Sequence, residues 1–591
     1  MSALFLRTGL WLSLLVAVVA VLVRFQQPLQ EIFLSEAPSQ TFCYSEGITA
    51  KFSDNTRASC FTVKDGVFVD VFTPESEEPP VELQQGYAMP GLWDGHGHLA
   101  AYGEFLHSVD LFGTTSVEDV HNSLADYLAQ HKGVGGKNDW VRGIGWDQMA
   151  LGRMPTAAML EEDERFKGLY IMLDRVDVHC IWVSQAVLDL LPPDLPDIPG
   201  GDIVRDPPGM GVFCDNAMEY VMTFWPKPNA ERKTAFLKSA MQSLHSVGLV
   251  GMHDAGVNPD ELQLYRQLAA AAPARTSSSD HDWWTLRVYA MIECRERNTF
   301  CPDEVSRYTD DAGLLSIESV KLFADGALGS WGSAMIEPYT DRPDTSGSLL
   351  VNGTSLTSLA KSWAAEGYQV NIHAIGDLAN RLAIDALSSA LATVCATTTP
   401  GDEESSSELA ACQEQRRFRI EHAQIIHPDD QVRIKEIGIL PSVQPTHATS
   451  DMKYAERRLG HERTAREAYR MRSLRDLGLV LGSDFPVEPI NPFEGIYAAV
   501  TRRSPATGLG ADGESKEGWH LEEALSLHEA LTGFTEGPAW GGFMEGRAGC
   551  IQEGAWADWV VLDQPLNDLE ELRSLKVKET WVGGRRVYAR E

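Results

Sequence analysis

The chain alternates strand-like and helix-like segments over most of its length. Short apolar runs typical of buried strands recur along it, and most are separated by helical segments such as TSLAKSWAAEG and LANRLAIDALSSALATV. Because this alternation is typical of a parallel sheet covered by helices, the eight runs predict an α/β fold, a (β/α)8 TIM-like barrel. They lie at residues 87–93, 248–254, 286–291, 317–326, 368–377, 418–424, 438–445 and 479–486.

The barrel does not account for the whole chain. About 150 residues separate the first two runs, far more than a helix requires, so an inserted subdomain is expected at about residues 110–230 of a barrel domain spanning 91–540. Residues 40–90 alternate apolar and polar side chains, as in CFTVKDGVFVDVF. Residues 545–591 contain the similar segments GCIQEGAWADWVVLD and KETWVGGRRVY. The two chain ends are therefore predicted to form one small β-sandwich.

The N-terminal segment TGLWLSLLVAVVAVLV, residues 8–23, is uncharged and lies between Arg7 and Arg24. Its length approaches that of a transmembrane helix. A retained signal-anchor over residues 1–30 is therefore expected, a single-pass membrane segment with the body of the protein in the secretory-pathway lumen or outside the cell. Two alternatives stay open: a cleaved signal peptide, which would release a secreted protein, and a buried helix of a cytosolic protein.

Cysteine spacing agrees with an oxidising compartment. Three pairs among the nine cysteines lie close enough in sequence to close short disulfide loops, and free buried thiols are the alternative. The pairs are Cys43 with Cys60, Cys294 with Cys301, and Cys395 with Cys412. Asn352 begins the single glycosylation sequon, Asn-Gly-Thr.

Charge limits the partners that such a chain can bind. Asp and Glu number 84 against 50 Lys and Arg, which gives a net charge of −34. A surface of this sign repels phosphate backbones, so nucleic acid is excluded as a partner. The expected partners are a small-molecule substrate, the membrane through the N-terminal segment, and a second copy of the chain in a homodimer.

Side chains that bind metals recur where the predicted strands end. In PGLWDGHGH, two histidines stand one residue apart, and such residues on a strand face the same side. A lysine stands inside the apolar run SVKLFADG, where burial is costly. In such barrels the functional residues lie at the carboxyl ends of the strands. These side chains are therefore predicted to converge on one rim of the barrel around a divalent metal. The set is His96, His98, Lys321, His373, His422 and Asp484.

The segments PGLWDGHGH, VKLFADGALGS, NIHAIGD, RIEHAQ and LGSDFPV together resemble the amidohydrolase superfamily. The resemblance is to the amidohydrolase 3 group, which includes YtcJ-like proteins and N-substituted formamide deformylase, and it extends from about Cys43 to Tyr588. It implies a hydrolase that acts on carbon–nitrogen bonds other than peptide bonds. The expected substrate is an amide or formamide-type small molecule, cleaved by metal-activated hydroxide.

The resemblance also implies a ligand set. His96 and His98 would hold one divalent metal, and His373 and His422 would hold a second. Lys321, as an N-carboxylated lysine, would bridge the two. Zinc is the expected ion for imidazole and carboxylate ligands, and whether one or two ions bind is left open.

Further residues have roles implied by the resemblance or by their position. Asp484 would bind the first metal, accept a proton and pass it to the leaving amine. His179, in the insert, would be catalytic by hydrogen-bonding the substrate carbonyl, with a structural role as the alternative. His253 is expected to end the second strand and face the same rim, either behind the ligands or packing the barrel mouth. Asp325 is expected to orient Lys321 or to cap the next turn.

One position departs from the implied pattern. The resemblance implies a glutamate in the insert where this chain reads GMGVFCDNAM, with Asp215. A contact between this acid and the substrate would shift specificity. Two other functions also stay open: a cyclic amide, imide or ester hydrolase with the same site, and a non-catalytic binding or regulatory protein on the same fold.

Overall fold

The structure, a computed structural model, describes residues 39–74, 81–205, 210–272, 283–395 and 406–591. The signal-anchor predicted over residues 1–30 lies outside these residues. Among the described helices, Asp377–Cys395 is long and apolar enough to cross a membrane by composition. Its apolar face places Ala383, Ile384 and Leu387 in the barrel core, which explains that composition.

Seven of the eight predicted runs form barrel strands, and with Leu92–Gly97 they make a parallel sheet whose neighbours follow chain order. The prediction for the first run, residues 87–93, was wrong in its bounds, because Tyr87–Pro90 pairs with strands of the chain-end sheet and the barrel strand begins only at Leu92. The sheet curls into a nearly closed barrel, because the backbone N–H of Asp484, just after the last strand, donates to the carbonyl of His96 in the first at 2.7 Å. The prediction of a TIM-like barrel is therefore confirmed. Its strands are Leu92–Gly97, Leu249–Val257, Arg287–Ile292, Leu315–Phe323, Gln369–Ala374, Arg419–His422, Leu440–Val443 and Val480–Leu481.

Helices fill the connections between these strands, and several begin at an asparagine side chain that accepts from a free backbone N–H of the first turn, as Asn229, Asn258 and Asn352 do. The short strand Tyr308–Thr309 pairs antiparallel with barrel strand four. The α-helices of this part are Leu99–Phe105, Ala230–Ser246, Pro259–Ala271, Gly353–Ala365, Asp377–Cys395, Ser406–Arg416, Pro428–Ile437, Pro445–Asp451, Ala455–Leu459, His461–Glu467, Met471–Leu474, Pro492–Thr501, Leu527–Gly533 and Glu536–Gly541.

The insert between barrel strands one and two contains its own six-stranded sheet. Buried aromatic side chains, among them Trp146, Phe166 and Trp182, form a separate core there. Its strands are Val109–Asp110, Val141–Trp146, Ile171–Arg175, Cys180–Val183, Gly201–Val204 and Val212–Asp215. Its α-helices are Val117–Gln130, Gln148–Leu151, Ala157–Leu160, Gln185–Leu188 and Glu219–Met222.

The two chain ends pair with each other, as the alternating segments predicted. They form one seven-stranded sheet rather than two packed sheets. Its apolar face buries an aromatic cluster in which Trp559 contacts Phe42 and Phe61 edge-on, each at a centroid distance of 5.0 Å. In spatial order the strands are Arg585–Ala589, Glu579–Val582, Trp559–Leu562, Tyr87–Pro90, Gln40–Lys51, Thr56–Lys64 and Val67–Phe72.

Four disulfides join eight of the nine cysteines, and the ninth, Cys550, is a buried thiol. Three of them are the predicted pairs. The fourth, Cys180–Cys214, joins two neighbouring antiparallel strands of the insert and was not predicted. Four disulfides are typical of a chain that folds in an oxidising compartment.

Candidate metal centre

The six predicted ligands come together at the carboxyl end of the barrel. Nε2 of His98 lies 3.1 Å, and Nε2 of His96 3.5 Å, from Oδ1 of Asp484. Nζ of Lys321 lies 3.4 Å from Nε2 of His96. The remaining two histidines pack beside them: the ring of His422 is 4.9 Å from that of His96 and 4.4 Å from that of His373.

The backbone at two of these positions is held in an unusual conformation. His422 has φ 73° and Asp484 has φ 65°, both in the left-handed region that non-glycine residues rarely adopt. Such strain persists only where surrounding structure fixes it, and it concentrates at functional sites. The two side chains are thereby turned into the cavity at the barrel mouth, which both line.

A seventh side chain, His447, joins the cluster. It lies in helix Pro445–Asp451, directly after barrel strand seven, and its ring is parallel to that of His422 at 5.7 Å. It was not among the predicted ligands, because no site residue was assigned to the end of the seventh strand. The signal that identifies it is the polar segment THATSD, residues 446–451, immediately after the run 438–445.

These side chains fit a divalent cation. Two sets of ligand atoms lie within 4.8 Å of one another, His96 with His98 and Asp484, and His422 with His447 and Asp484. Within the described residues, Nε2 of His373, Nδ1 of His422 and Nε2 of His447 are buried without a hydrogen-bond partner. An unpartnered buried nitrogen is costly, and a metal ion would satisfy it. Imidazole and carboxylate donors of this kind are those that zinc and similar ions prefer.

A buried network of charged side chains holds His96 in place. Its Nδ1 lies 2.6 Å from Oε2 of Glu421, and Nη2 of Arg419 lies 2.9 Å from Oε1 of the same carboxylate. Nη1 of Arg419 also contacts Nδ1 of His253 at 2.7 Å. His253 was expected to end strand two at the rim. That strand continues to Val257, so His253 lies deeper in the barrel, behind the ligands.

Charge and burial set the protonation of the cluster. Burial, followed by the nearby Lys321, lowers the pKa of His96 to about 4, although Asp484 and Glu421 oppose this. Burial alone would raise the pKa of Asp484, but His96 and His98 hold it well below its usual range. Burial also lowers the pKa of Lys321. At neutral pH His96 is therefore a neutral imidazole facing an ionised Asp484, the forms that bind a metal.

The insert contributes His179 from the opposite wall. Its Nδ1 lies 2.7 Å from Oδ1 of Asp215, and its ring centroid is 5.8 Å from that of His373. Burial lowers the pKa of His179, but the hydrogen bond and charge of Asp215, together with Asp177, outweigh burial and raise it. Asp215, the position that departs from the implied pattern, therefore orients His179 and favours its protonated form.

Asp325 supports the site through the backbone. Its carboxylate accepts hydrogen bonds from the N–H groups of Ile375, Gly376 and Ala334 at 2.8 to 3.0 Å. One oxygen also lies 3.7 Å from Nε2 of His373. Its hydrogen bonds thus fix the turn after barrel strand five and hold Ala334 in the loop after strand four, where a cap on the next turn or an orienting contact with Lys321 was expected.

The cluster lines a cavity of about 880 Å³ between the barrel and the insert. The barrel contributes the cluster of histidines with Lys321 and Asp484, and the insert contributes His179 and Asp215. Substrate bound here would therefore contact both the metal ligands and the insert.

Known proteins resemble the chain over nearly all of its described length. YtcJ of Bacillus subtilis (strain 168) is 28% identical over 528 residues, covering 87% of this chain and 91% of that protein. N-substituted formamide deformylase of Arthrobacter pascens is 25% identical over 521 residues, covering 85% and 88%. The crystal structure of an uncharacterized metal-dependent hydrolase from Pyrococcus horikoshii OT3 shares the fold, with a TM-score of 0.67, 24% identity and coverage of 90% and 98%.

The family model described as the amidohydrolase family matches residues 81–588, which include the barrel, the insert and the chain-end strands from Tyr87 onward. The match agrees with the resemblance carried by the strand-end motifs. The chain belongs to the amidohydrolase family.

Proposed function

We propose that this protein is a metal-dependent hydrolase that cleaves a carbon–nitrogen bond of the amide or formamide type in a small molecule. The observation that carries the proposal is the convergence of buried, unpartnered imidazole nitrogens on Asp484 at the carboxyl end of the barrel. The similarity to N-substituted formamide deformylase favours an acyclic amide over a cyclic amide, an imide or an ester. The intact ligand set argues against a non-catalytic protein on the same fold.

The cation proposed for the site is zinc, as one or two ions. When bound, it would lower the pKa of water and polarise the scissile carbonyl. A buried ammonium at Lys321, 3.4 Å from Nε2 of His96, would repel such an ion. N-carboxylation of Lys321 would replace that positive charge with a carboxylate-like donor, which is why we include it in the proposal.

Two side chains are proposed to act on the substrate. Asp484, ionised and 3.1 Å from Nε2 of His98, would accept the proton of the attacking water and deliver it to the leaving amine. His179 would donate a hydrogen bond to the carbonyl oxygen as negative charge develops there. Asp215 favours the protonated ring needed for this donation.

The proposed compartment is the secretory-pathway lumen or the cell exterior, with the N-terminal segment as a single-pass anchor or a cleaved signal. Four disulfides support it. Asn352 is exposed, and its Oδ1 accepts from the N–H of Ser355 at 2.9 Å, which leaves Nδ2 for a glycan. Expression in cells with a secretory pathway should give a glycosidase-sensitive mass that Asn352→Gln removes; an unglycosylated protein inside the cytosol would contradict the assignment.

The function is tested by metal analysis and a screen of N-acyl and N-formyl amines with zinc supplied. We expect bound zinc and release of free amine, both of which require the intact cluster. Asp484→Asn should abolish turnover while leaving the fold intact. The matched control is Asp476→Asn, whose side chain is 85% exposed. A purified protein that holds no metal and cleaves none of these amides would favour the non-catalytic alternative.

A further inference from the structure

A second, smaller cavity of about 290 Å³ adjoins the main one. Four residues line both: His98, Ala101, Glu104 and Met222. Helix Leu99–Phe105 begins immediately after His98 and carries Ala101 and Glu104 along the boundary. The two cavities therefore border each other along this helix.

One wall of the side chamber is apolar, and the rest of its lining is polar or charged. Phe236 and Leu237 are buried residues of helix Ala230–Ser246, and Trp225 and Leu264 complete the apolar surface. The guanidinium of Arg142, which lines the main cavity, lies 4.5 Å from the ring centroid of Trp225. This cation–π contact holds the indole at the junction of the two cavities.

Five charged side chains also line the side chamber, and three of them have hydrogen-bond partners within it. The five are Glu104, Lys227, Lys233, Asp254 and Glu261. Nζ of Lys233 pairs with Oε1 of Glu261 at 2.7 Å. Asp254 accepts from the hydroxyl of Tyr265 at 2.9 Å and from the N–H of Leu99 at 3.3 Å. These contacts engage Lys233, Glu261 and Asp254 within the protein, and the apolar wall beside them can bury an apolar group of an occupant.

Apolar side chains continue on the insert side of the main cavity. Phe105 and Phe112 contact each other at a centroid distance of 5.6 Å, and Met218 and Met222 lie on the same lining. Methionine and aromatic side chains adapt to apolar ligands of varied shape. The apolar wall thus leads from the metal centre to the side chamber.

We propose that the substrate carries an apolar alkyl or aryl arm that occupies the side chamber while its amide lies at the metal centre. The inference rests on the proposed function, and it names the substrate class: an amide with an extended apolar substituent rather than a minimal acyl amine. Burial of the arm against Trp225, Phe236 and Leu264 provides the selectivity.

The test compares three amides: N-methylacetamide, N-hexylacetamide and N-methylhexanamide. The last two place a six-carbon chain on opposite sides of the same bond. Burying a methylene improves binding by roughly fourfold at most. We therefore expect kcat/KM of the zinc-loaded, full-length protein for one of the two long amides to exceed that for N-methylacetamide by at least tenfold. Equal values for all three would overturn the proposal.

Ala101→Trp is designed to block the passage, since Ala101 is exposed on a helix and faces both cavities. It should remove most of the preference for the long amide, because kcat/KM for the long amide should fall much further than that for N-methylacetamide. Ala158→Trp, at an exposed alanine of helix Ala157–Leu160 that lines neither cavity, is the matched control. Equal losses on short and long amides, or no loss on either, would contradict the assignment.

Binding measured without turnover separates this inference from the proposed function. Calorimetry on the metal-stripped protein should show tighter binding of the preferred long amide than of N-methylacetamide, and Ala101→Trp should weaken it. If no amide is hydrolysed but this binding pattern is found, the proposed function fails and the side chamber stands. If hydrolysis is found without a chain-length preference, the side chamber fails and the proposed function stands.

Discussion

Two histidine–carboxylate pairs face each other across the cavity, one in the barrel and one in the insert. Nδ1 of His96 lies 2.6 Å from Glu421, and Nδ1 of His179 lies 2.7 Å from Asp215. The contacts are nearly identical, yet the pKa of His96 falls to about 4 whereas that of His179 is raised. The carboxylate partner alone therefore does not decide which protonation state the imidazole adopts.

The surroundings of each pair explain the difference. Burial and the positive charge of Lys321 act on His96, and Arg419 also shares the carboxylate of Glu421. At His96, burial and Lys321 outweigh Glu421 and a second acid, Asp484. At His179, Asp215 together with Asp177 outweighs burial and Arg175. The barrel pair thus keeps a neutral imidazole that can bind a metal, and the insert pair keeps a ring that can donate to a substrate oxygen.

Among changes to the two histidine–carboxylate pairs, the largest effect is expected from His179→Ala. Loss of the donor to the developing oxyanion should lower kcat by about 10²- to 10³-fold, as for other donors of this kind. Bound metal, measured by elemental analysis, should not change. His131→Ala, at an exposed histidine of the insert, is the control. Loss of metal together with activity would instead place His179 among the ligands.

The sequence predicted the barrel because its strands are buried on both sides and read as apolar runs. Six ligand positions followed, since the carboxyl ends of such strands meet on one rim. The position of a helix in the sequence does not show in the same way which of its side chains faces the site. His447 lies on a helix after strand seven, and only the packed structure brings its ring beside that of His422.

Residue contacts that depend on the register of strand pairing could also not be predicted from the sequence. Cys180 and Cys214 are 34 residues apart and meet only because their strands pair antiparallel in the insert. Glu421 was not singled out in the sequence, because the functional role was assigned to its neighbour His422. Side chains alternate along a strand, and in the folded barrel Glu421 contacts Nδ1 of His96. A disulfide within a short loop, such as Cys294–Cys301, can be predicted without knowing the register of any strands.

A smaller effect is expected from Glu421→Gln, which breaks the barrel pair. A glutamine cannot hold the His96 tautomer as an ionised carboxylate does, so metal affinity should fall by about 10- to 100-fold. Activity should recover when excess zinc is added. Glu366→Gln, at an exposed glutamate, is the control. Undiminished metal affinity in a chelator competition would show that Glu421 does not support the ligand.

The smallest effect is expected from Asp215→Asn, which leaves the ring of His179 in place and removes only the charge beside it. The raised pKa means that protonated His179 is present below that pKa and is lost as pH rises through it. In the variant the pKa should fall, so the alkaline limb of the kcat profile should move to lower pH, with rates dropping about tenfold per pH unit above the new limb.

The control for this profile is Asp202→Asn, an exposed carboxylate on the adjacent strand Gly201–Val204, which should leave the limb where it is. Unlike His179, His96 is expected to contribute nothing to the alkaline limb. Its pKa is already about 4, so it is neutral throughout the same pH range. If the alkaline limb is the same in wild type and Asp215→Asn, His179 and Asp215 do not titrate in the reaction. The two histidine–carboxylate pairs would then not differ in role as their pKa directions indicate.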